Sequence, residues 1–575
     1  MKKHLVFYLF ISIVLPYTTY VSPGFASNTT IYYGGDIITM NDSSPTAGAL
    51  VVKDGIIESV GSQSLLFNQY HTKTTKLVNL NGKTLLPGFI DAHGHFTLVG
   101  FLAQSANLLP PPDSTVSNFK SMADKLLSHV NSPQAINTGW VIGMGYDNAQ
   151  LEEQHHPTAA DLDKIIADKP VVVIHQSGHL AAVNSKGLAL IGYNALTPNP
   201  PGGIIRRVKG TNQPNGVLEE SAFFNILVKL LSTGHQQNPF AMIQSSQAAY
   251  AAAGFTTAQE GRATNSEMKG LILAAQHKKL QIDVVSYPDP TFYQDDSSFQ
   301  LMMSQRPISY FNHYRVGGIK LSLDGSPQAK TAWLTQPYHI PPYGQNNNYR
   351  GYPAMQTEDV QKYVNMAFSN NWQLLVHSNG DAASDQFITV VDNAIKTLGS
   401  SDYRSVMIHA QIIREDQLDV LSALKVIPSF MSVHTFYWGD WHRDSVLGSE
   451  RAARISPAQS ALKRNILYTS HNDAPVTLPN AMMILSSQVN RTTRSGTILG
   501  KEQQVSIMDA LKSITTNAAY QYFEEDRKGS LEPGKLADLV ILDKNPLEVD
   551  PEKINTIKVV ETLKQGKTIY KATSM

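Results

Sequence analysis

Leu85-Leu86-Pro87-Gly88-Phe89-Ile90-Asp91-Ala92-His93-Gly94-His95-Phe96 is the stretch from which the fold can be read. The apolar residues on either side of Pro87-Gly88 read as a short buried strand. That strand runs out into Asp91, His93 and His95. Side chains at i and i+2 of an extended chain share a face. The two imidazoles can therefore reach one point, and Gly94 leaves room beside them. Two neutral imidazoles converging at the end of a buried strand suit a divalent metal such as zinc. A His-x-His pair alone is a weak signal, because loop histidines without a ligand are common. The rest of the chain changes the odds.

From about residue 90 to 525, apolar strand-like runs alternate with helix-like segments. Strand candidates include Trp140–Met144, Val171–His175, Phe255–Ala258, Ile282–Ser286, Val316–Lys320, Gln373–His377, Val406–His409 and Ile466–Thr469. Helix candidates between them include Thr357–Ser369 and Ala382–Leu398. Such alternation argues for a parallel sheet with helical crossovers, and a TIM-like (β/α)8 barrel is the expected α/β form. More strand candidates precede Lys320 than a minimal barrel needs, which predicts an inserted subdomain within about 100–300. Several strands end in a side chain able to bind metal. After His93 and His95 come Lys320, His377 and His409, and the last strand runs into Ser470-His471-Asn472-Asp473. Active-site residues of such barrels sit at the C-terminal ends of the strands. One strand-end histidine would be an ordinary core residue; this many in one barrel point to a metal centre.

Both ends of the chain have a β texture. Val51-Val52, Asp54-Gly55 and Ile56-Ile57 carry the signal of a hairpin with a type I′ turn. Ala537–Asp543, Val559–Leu563 and Thr568–Tyr570 read as strands at the far end. The economical arrangement is one small composite β-sandwich from residues 27–86 and 526–575, with the (β/α)8 barrel, 87–525, between them.

Composition removes several function classes. The 575 residues hold 47 Lys+Arg against 47 Asp+Glu and no cysteine. No basic excess exists to neutralise phosphates, so a nucleic-acid partner is not expected. Without cysteine there are no disulfides, thiolate nucleophiles or thiolate ligands, which leaves His, carboxylate and modified Lys for a metal. Lys2-Lys3-His4, the apolar run Leu5–Leu15 and Gly24-Phe25-Ala26-Ser27 have the layout of a secretory signal peptide over residues 1–26. About a dozen apolar residues are short for a membrane span. The mature protein is expected to be secreted or periplasmic, by Gram-negative-type export, with no stable membrane insertion after signal cleavage.

Longer motifs sharpen this. Pro87–His95 ("PGFIDAHGH"), Gly139–Asp147, Gly178–Ser185, Gly216–Glu220, Gly318–Ser326, His377–Asp381 ("HSNGD"), Ile408–Gln411, Asn472–Val476 ("NDAPV") and Gly529–Leu542 follow one another in order. The series resembles the amidohydrolase superfamily, and within it the amidohydrolase-3 or YtcJ-like group that includes N-substituted formamide deformylase. Asn472 stands where that group usually has Ser. The resemblance implies a site of one or two divalent ions, Zn2+ first among them. His93 and His95 would hold the more buried ion, and His377 and His409 the other. Lys320, carboxylated, would bridge them. Asp473 would be both ligand and catalytic base toward a metal-activated hydroxide that attacks a C–N bond of an amide, N-acyl or N-formyl compound. His179 and His434 stand where substrate-binding histidines occur in the group. Tyr146, Asp147, Glu260 and Asp324 are softer candidates for the pocket wall, and Trp333, Tyr437, Trp438 and Trp441 for an aromatic one. His155, His156 and His471 read as bland.

A deaminase or cyclic-amide hydrolase would use the same site, and a non-catalytic regulatory or binding protein could keep the fold without the chemistry. The joint presence of His93, His95, His377, His409 and Asp473 favours an enzyme. Its expected partners are a small-molecule amide and, as a homodimer, a second copy of the chain.

Overall fold

The computed structural model describes residues 28–224, 226, 240–342 and 344–573; the signal peptide read at 1–26 lies outside them. Phe89–Ile90, Phe255–Ala263, Asp283–Pro288 and Tyr314–Val316 pair in that order, all parallel. Gly318–Ser322, Gln373–Ser378, Val406–His409, Ile427–Phe430 and Thr469–Ser470 form a second parallel series. Tyr314–Val316 and Gly318–Ser322 are two halves of one strand, interrupted at Gly317, whose N–H donates to Ser286 O at 3.0 Å. The two series are therefore one array of eight strands in chain order. Past its last strand, Ala474 O accepts the His95 N–H at 2.7 Å, which brings the ends of the array together. This is the (β/α)8 architecture expected from the alternating pattern.

The crossover helices obey the same physics. Thr357–Ser369 buries Val360, Val364, Ala367 and Phe368 along one stripe and carries Glu358 and Asp359 in its first turn, where the helix dipole favours negative charge. Asp381–Leu398 follows the next strand. Ile466–Leu467 is not strand; the eighth strand is only Thr469–Ser470.

Two strands that read as barrel members belong elsewhere. Val141–Tyr146 and Val171–His175 lie in a separate six-stranded sheet, ordered Gly203–Arg207, Pro214–Glu220, Leu180–Val183, Val171–His175, Val141–Tyr146, Ala106–Asn107. It falls between the first and second barrel strands. The two ends of the chain share one eight-stranded sheet. Lys567–Lys571, Val559–Lys564 and Leu539–Leu542 continue into Thr84–Pro87, Thr29–Ile38, Thr46–Lys53 and Ile56–Gly61, and Lys76–Asn79 pairs with Thr29–Ile38. The hairpin between Thr46–Lys53 and Ile56–Gly61 turns at Asp54 and Gly55, both with positive φ (52° and 85°). The opening stretch is thus divided. Thr84–Pro87 pairs with Leu539–Leu542 of the C-terminal region, and Phe89–Ile90 begins the barrel.

A buried charge network ties this sheet to the barrel. Lys564 donates to Asp283 Oδ2 (2.6 Å) and Asp538 Oδ2 (2.7 Å). Lys528 pairs with Asp283 and with Glu524 Oε2, and Arg315 with Glu524 Oε1. Burial alone would raise the Glu524 carboxyl; Lys528 and Arg315 outweigh it and bring it down to about 2. A carboxyl depressed in the folded state adds stability above its ordinary value of 4.5, and that stability is lost as pH falls toward 2. Acid unfolding is expected to begin in that window. Lys564→Met, which leaves Asp283 and Asp538 short of a cation, should lower unfolding free energy at pH 7 by about 3 kcal/mol in a urea titration. A loss below about 0.5 kcal/mol would show that the network carries no stability.

Candidate active site

The first barrel strand ends beneath a tight polar cluster. A Cβ on Gly94 would lie 2.5 Å from both Asp91 Oδ2 and Tyr250 OH, so only glycine lets the His93–His95 turn settle on that pair. Tyr250 OH donates to Asp91 Oδ2 at 3.0 Å, and Tyr522 OH to Asp91 O at 2.7 Å. Burial pushes the Asp91 carboxyl up to about 7.

From this platform His93 Nε2 reaches Asp473 Oδ1 at 3.2 Å and His95 Nε2 reaches the same oxygen at 3.3 Å. The three ligand-type atoms lie within 4.8 Å of one another. His409 Nε2 stands 3.7 Å from Asp473 Oδ2 and 3.1 Å from His377 Nδ1. Lys320 Nζ is 3.5 Å from His93 Nε2. These distances bring the side chains of His93, His95, Lys320, His377, His409 and Asp473 into one cluster.

The second nitrogens of His93, His377 and His409 have partners of their own. His93 Nδ1 donates to Gln259 Oε1 at 2.6 Å, and Gln259 is oriented by its amide donating to Ala92 O (2.9 Å). His377 Nε2 faces Gly325 O at 3.1 Å. His409 Nδ1 faces His471 Nε2 at 3.2 Å, and His471 Nδ1 faces Ser429 Oγ at 2.9 Å. With the proton of His377 on the nitrogen facing Gly325 and that of His409 on the nitrogen facing His471, two lone pairs confront each other across 3.1 Å. Asp473 Oδ1 is buried without a hydrogen-bond donor. Confronted lone pairs and a bare carboxylate oxygen are what a cation with nitrogen distances near 2.0–2.1 Å resolves, and outward partners of this kind fix the tautomer of ligating imidazoles.

Protonation states agree. Burial, with the Lys320 ammonium alongside, brings His93 down to about 3. Burial likewise holds His377 and His409 well below the usual imidazole range. Burial would raise the Asp473 carboxyl, but positive charge or N–H groups on His409, His93 and His95 turned toward it outweigh burial and hold it well below the usual carboxylate range, a role that falls to a cation when those rings are neutral. His93, His377 and His409 are thus neutral imidazoles beside an ionised carboxylate, the form in which these groups ligate metal. Burial brings the Lys320 ammonium down to about 7.

His95, His179, Arg262, Lys320, His377 and Asp473 all line one cavity. The inserted sheet supplies a wall through Met144 and the Gln176–His179 turn. His179 Nδ1 bonds Glu220 Oε2 at 2.9 Å, and its ring centroid is 5.1 Å from that of His377. His434 does not line the cavity. It lies behind His409, with ring centroids 6.3 Å apart, packed against Trp438. Asp324 accepts the N–H groups of Trp333, Asn379 and Gly380 and so shapes the loop after His377. Asp147 accepts from Trp438 Nε1 at 2.6 Å, a tie between the insert and the barrel. Sequence reasoning missed Gln259 altogether and misjudged His471 as bland. Both are single polar residues whose importance comes from a partner far along the chain.

A sequence profile described as the amidohydrolase family matches residues 76–570. The chain belongs to the amidohydrolase family. Among curated proteins it is 25% identical to a putative amidohydrolase, YtcJ, of Bacillus subtilis over 94% of this chain and 99% of that one. It is 24% identical to the N-substituted formamide deformylase of Arthrobacter pascens over 94% and 97% of the two chains. An uncharacterized metal-dependent hydrolase from Pyrococcus horikoshii OT3 superposes with a TM-score of 0.70 at 23% identity, covering 91% of this amidohydrolase and 99% of that structure. That likeness establishes the fold. Among the described residues, no helix of this amidohydrolase is long and apolar enough to cross a membrane.

Proposed function

We propose that this chain is an exported, metal-dependent amidohydrolase that hydrolyses the C–N bond of a small amide, N-acyl or N-formyl compound. The observation that carries the reading is the convergence of His93, His95 and ionised Asp473 beside the facing nitrogens of His377 and His409. The N-terminal leader pattern supports export, and the formamide deformylase relative supports the bond class.

His93, His95 and Asp473 would hold one ion, zinc by the character of the donors, and His377 and His409 a second. When bound, such ions supply Lewis acidity, acidifying water and polarising a carbonyl oxygen. The remaining work falls to the chain. Lys320, near neutrality at pH 7, offers an unprotonated amine to CO2; its Nζ forms the new N–C bond, one proton leaves, and a carbamate anion replaces a cation beside His93. Asp473 takes the proton of the attacking water and passes it to the leaving nitrogen, so the amine departs neutral. His179, set by Glu220 at the cavity wall, is placed to donate to the substrate carbonyl or acyl group. Leu98, Met144, Phe224 and Val476 line the same space and exclude water from the scissile bond.

The test is turnover. Zinc-loaded enzyme is expected to release amine from at least one member of a panel of N-formyl and N-acetyl amides, with the activity removed by chelator and restored by metal. Turnover of aminopurines or cyclic ureides with no release from any open-chain amide would replace this reading with a deaminase or cyclic-amide hydrolase.

A further inference from the structure

Arg262 is a cavity-lining cation that the chemistry above does not use. We infer that it receives a carboxylate of the substrate, so that the preferred substrates are N-acyl or N-formyl amino acids, or similar amides carrying a carboxylate near the scissile bond. This rests on the amidohydrolase reading of the same cavity.

The first observation is position. Arg262 lies at the C-terminal end of the second barrel strand, with φ +67° in the left-handed region. The residue before it, Gly261, donates its N–H to Gly94 O at 2.8 Å. A Cβ on Gly261 would lie 2.5 Å from His93 Cε1. The backbone is thus pressed against the His93–His95 turn, and Arg262 enters the cavity beside it.

The second observation is the way the guanidinium is held. It lies over the Phe224 ring at 4.4 Å and the Phe292 ring at 5.0 Å. Its Nε donates to Asp289 Oδ2 at 3.0 Å. The other Asp289 oxygen is occupied by Thr291, accepting its N–H at 2.8 Å and its hydroxyl at 2.6 Å. Glu260 and Glu267 line the same cavity, but Glu260 accepts from Thr97 N–H and Glu267 from Thr264 N–H, and neither bonds Arg262. The Nε bond is the only side-chain hydrogen bond of Arg262 among the described residues. Two rings and one carboxylate therefore fix the plane and direction of the group, while among the described residues neither terminal nitrogen has a hydrogen-bond partner in a cavity shared with Lys320, His95 and Asp473. A pre-oriented guanidinium fork matches a carboxylate in two parallel hydrogen bonds, a geometry that lysine cannot reproduce. A guanidinium serving only as the counterion of Asp289 would need neither the two rings nor a place on the cavity wall.

The experiment compares N-formyl-phenylalanine with N-formyl-phenethylamine, which differ only by the carboxylate. Wild-type kcat/KM is expected to favour the carboxylate compound by about 100-fold, in the range of a charge-assisted hydrogen-bond pair. Arg262→Gln should abolish the preference, lowering kcat/KM about 100-fold for the carboxylate compound and less than about 3-fold for the neutral one. Asp289→Asn combined with Arg262→Gln avoids leaving a buried unpaired charge and should show the same selective loss. Equal losses on both compounds, or no wild-type preference, would overturn the inference. If metal-loaded enzyme turns over neither compound, ligand binding decides the carboxylate site, while the amidohydrolase reading is decided separately by the wider amide panel. A rise in Tm with N-formyl-phenylalanine in wild type that is absent in Arg262→Gln would support the carboxylate site; the same shift in both proteins, or none in wild type, would overturn it.

Discussion

Asp473→Asn is expected to lower kcat on an amide substrate by at least about 10³-fold, with an unchanged far-ultraviolet spectrum and a Tm within a few degrees of wild type. Three features make this substitution informative. Asn is nearly isosteric, so the packing of a residue only 7% exposed is kept. Asp473 has φ +56°, and Asn is among the few residues that adopt the left-handed region at low cost. The change therefore removes a charge and a base without removing a shape. The amide keeps an oxygen near His93 and His95 but cannot hold the proton of the attacking water or return it to nitrogen. Turnover within about 10-fold of wild type would take Asp473 out of the proton path.

His93→Ala is expected to remove the more buried ion. His93 is wholly buried and contributes one of the three converging ligand atoms, and its loss leaves His95 and Asp473 to hold a cation alone. Affinity at that position should fall by well over 100-fold, beyond the 10–100-fold typical of losing an outer partner. Gln259→Leu supplies that comparison, since it removes the acceptor of the His93 Nδ1 proton, with the Gln259 amide's bonds to Ala92 O and Tyr522 OH, but leaves every candidate ligand in place. The expected order of metal retention is wild type, then Gln259→Leu, then His93→Ala, read by elemental analysis after equal dialysis. His93→Ala with wild-type metal stoichiometry would mean that the ions sit elsewhere.

The ligand-type residues were legible in the sequence because barrel geometry turns a local feature, the last residue of an apolar run, into a shared location. His93, His95, Lys320, His377 and His409 each close or follow such a run, and the structure brings them together. Sheet membership was less legible. Val141–Tyr146 and Val171–His175 are as apolar as the barrel strands and fully buried, and nothing in a run of Val and Ile says which sheet will bury it. That is decided by pairing with other strands, here Val141–Tyr146 with Ala106–Asn107 far earlier in the chain and Val171–His175 with the antiparallel strand Leu180–Val183. Gln259 and His471 were illegible for a related reason. Gln259 matters because a histidine 166 residues away needs an acceptor, and His471 because its partner His409 lies 62 residues earlier. Arg262 carries no motif; only the Phe224, Phe292 and Asp289 clamp distinguishes it from a surface arginine.

The most direct measurement is the metal content per chain of protein purified without chelator and with bicarbonate present. Two ions per chain are expected, with a mass increment on Lys320 that acid removes as CO2 is lost from the carbamate. One ion per chain would withdraw the bridging role of Lys320 and leave His93, His95 and Asp473 as a single site. No bound metal, and no uptake when zinc is added, would contradict the metal-dependent hydrolase outright.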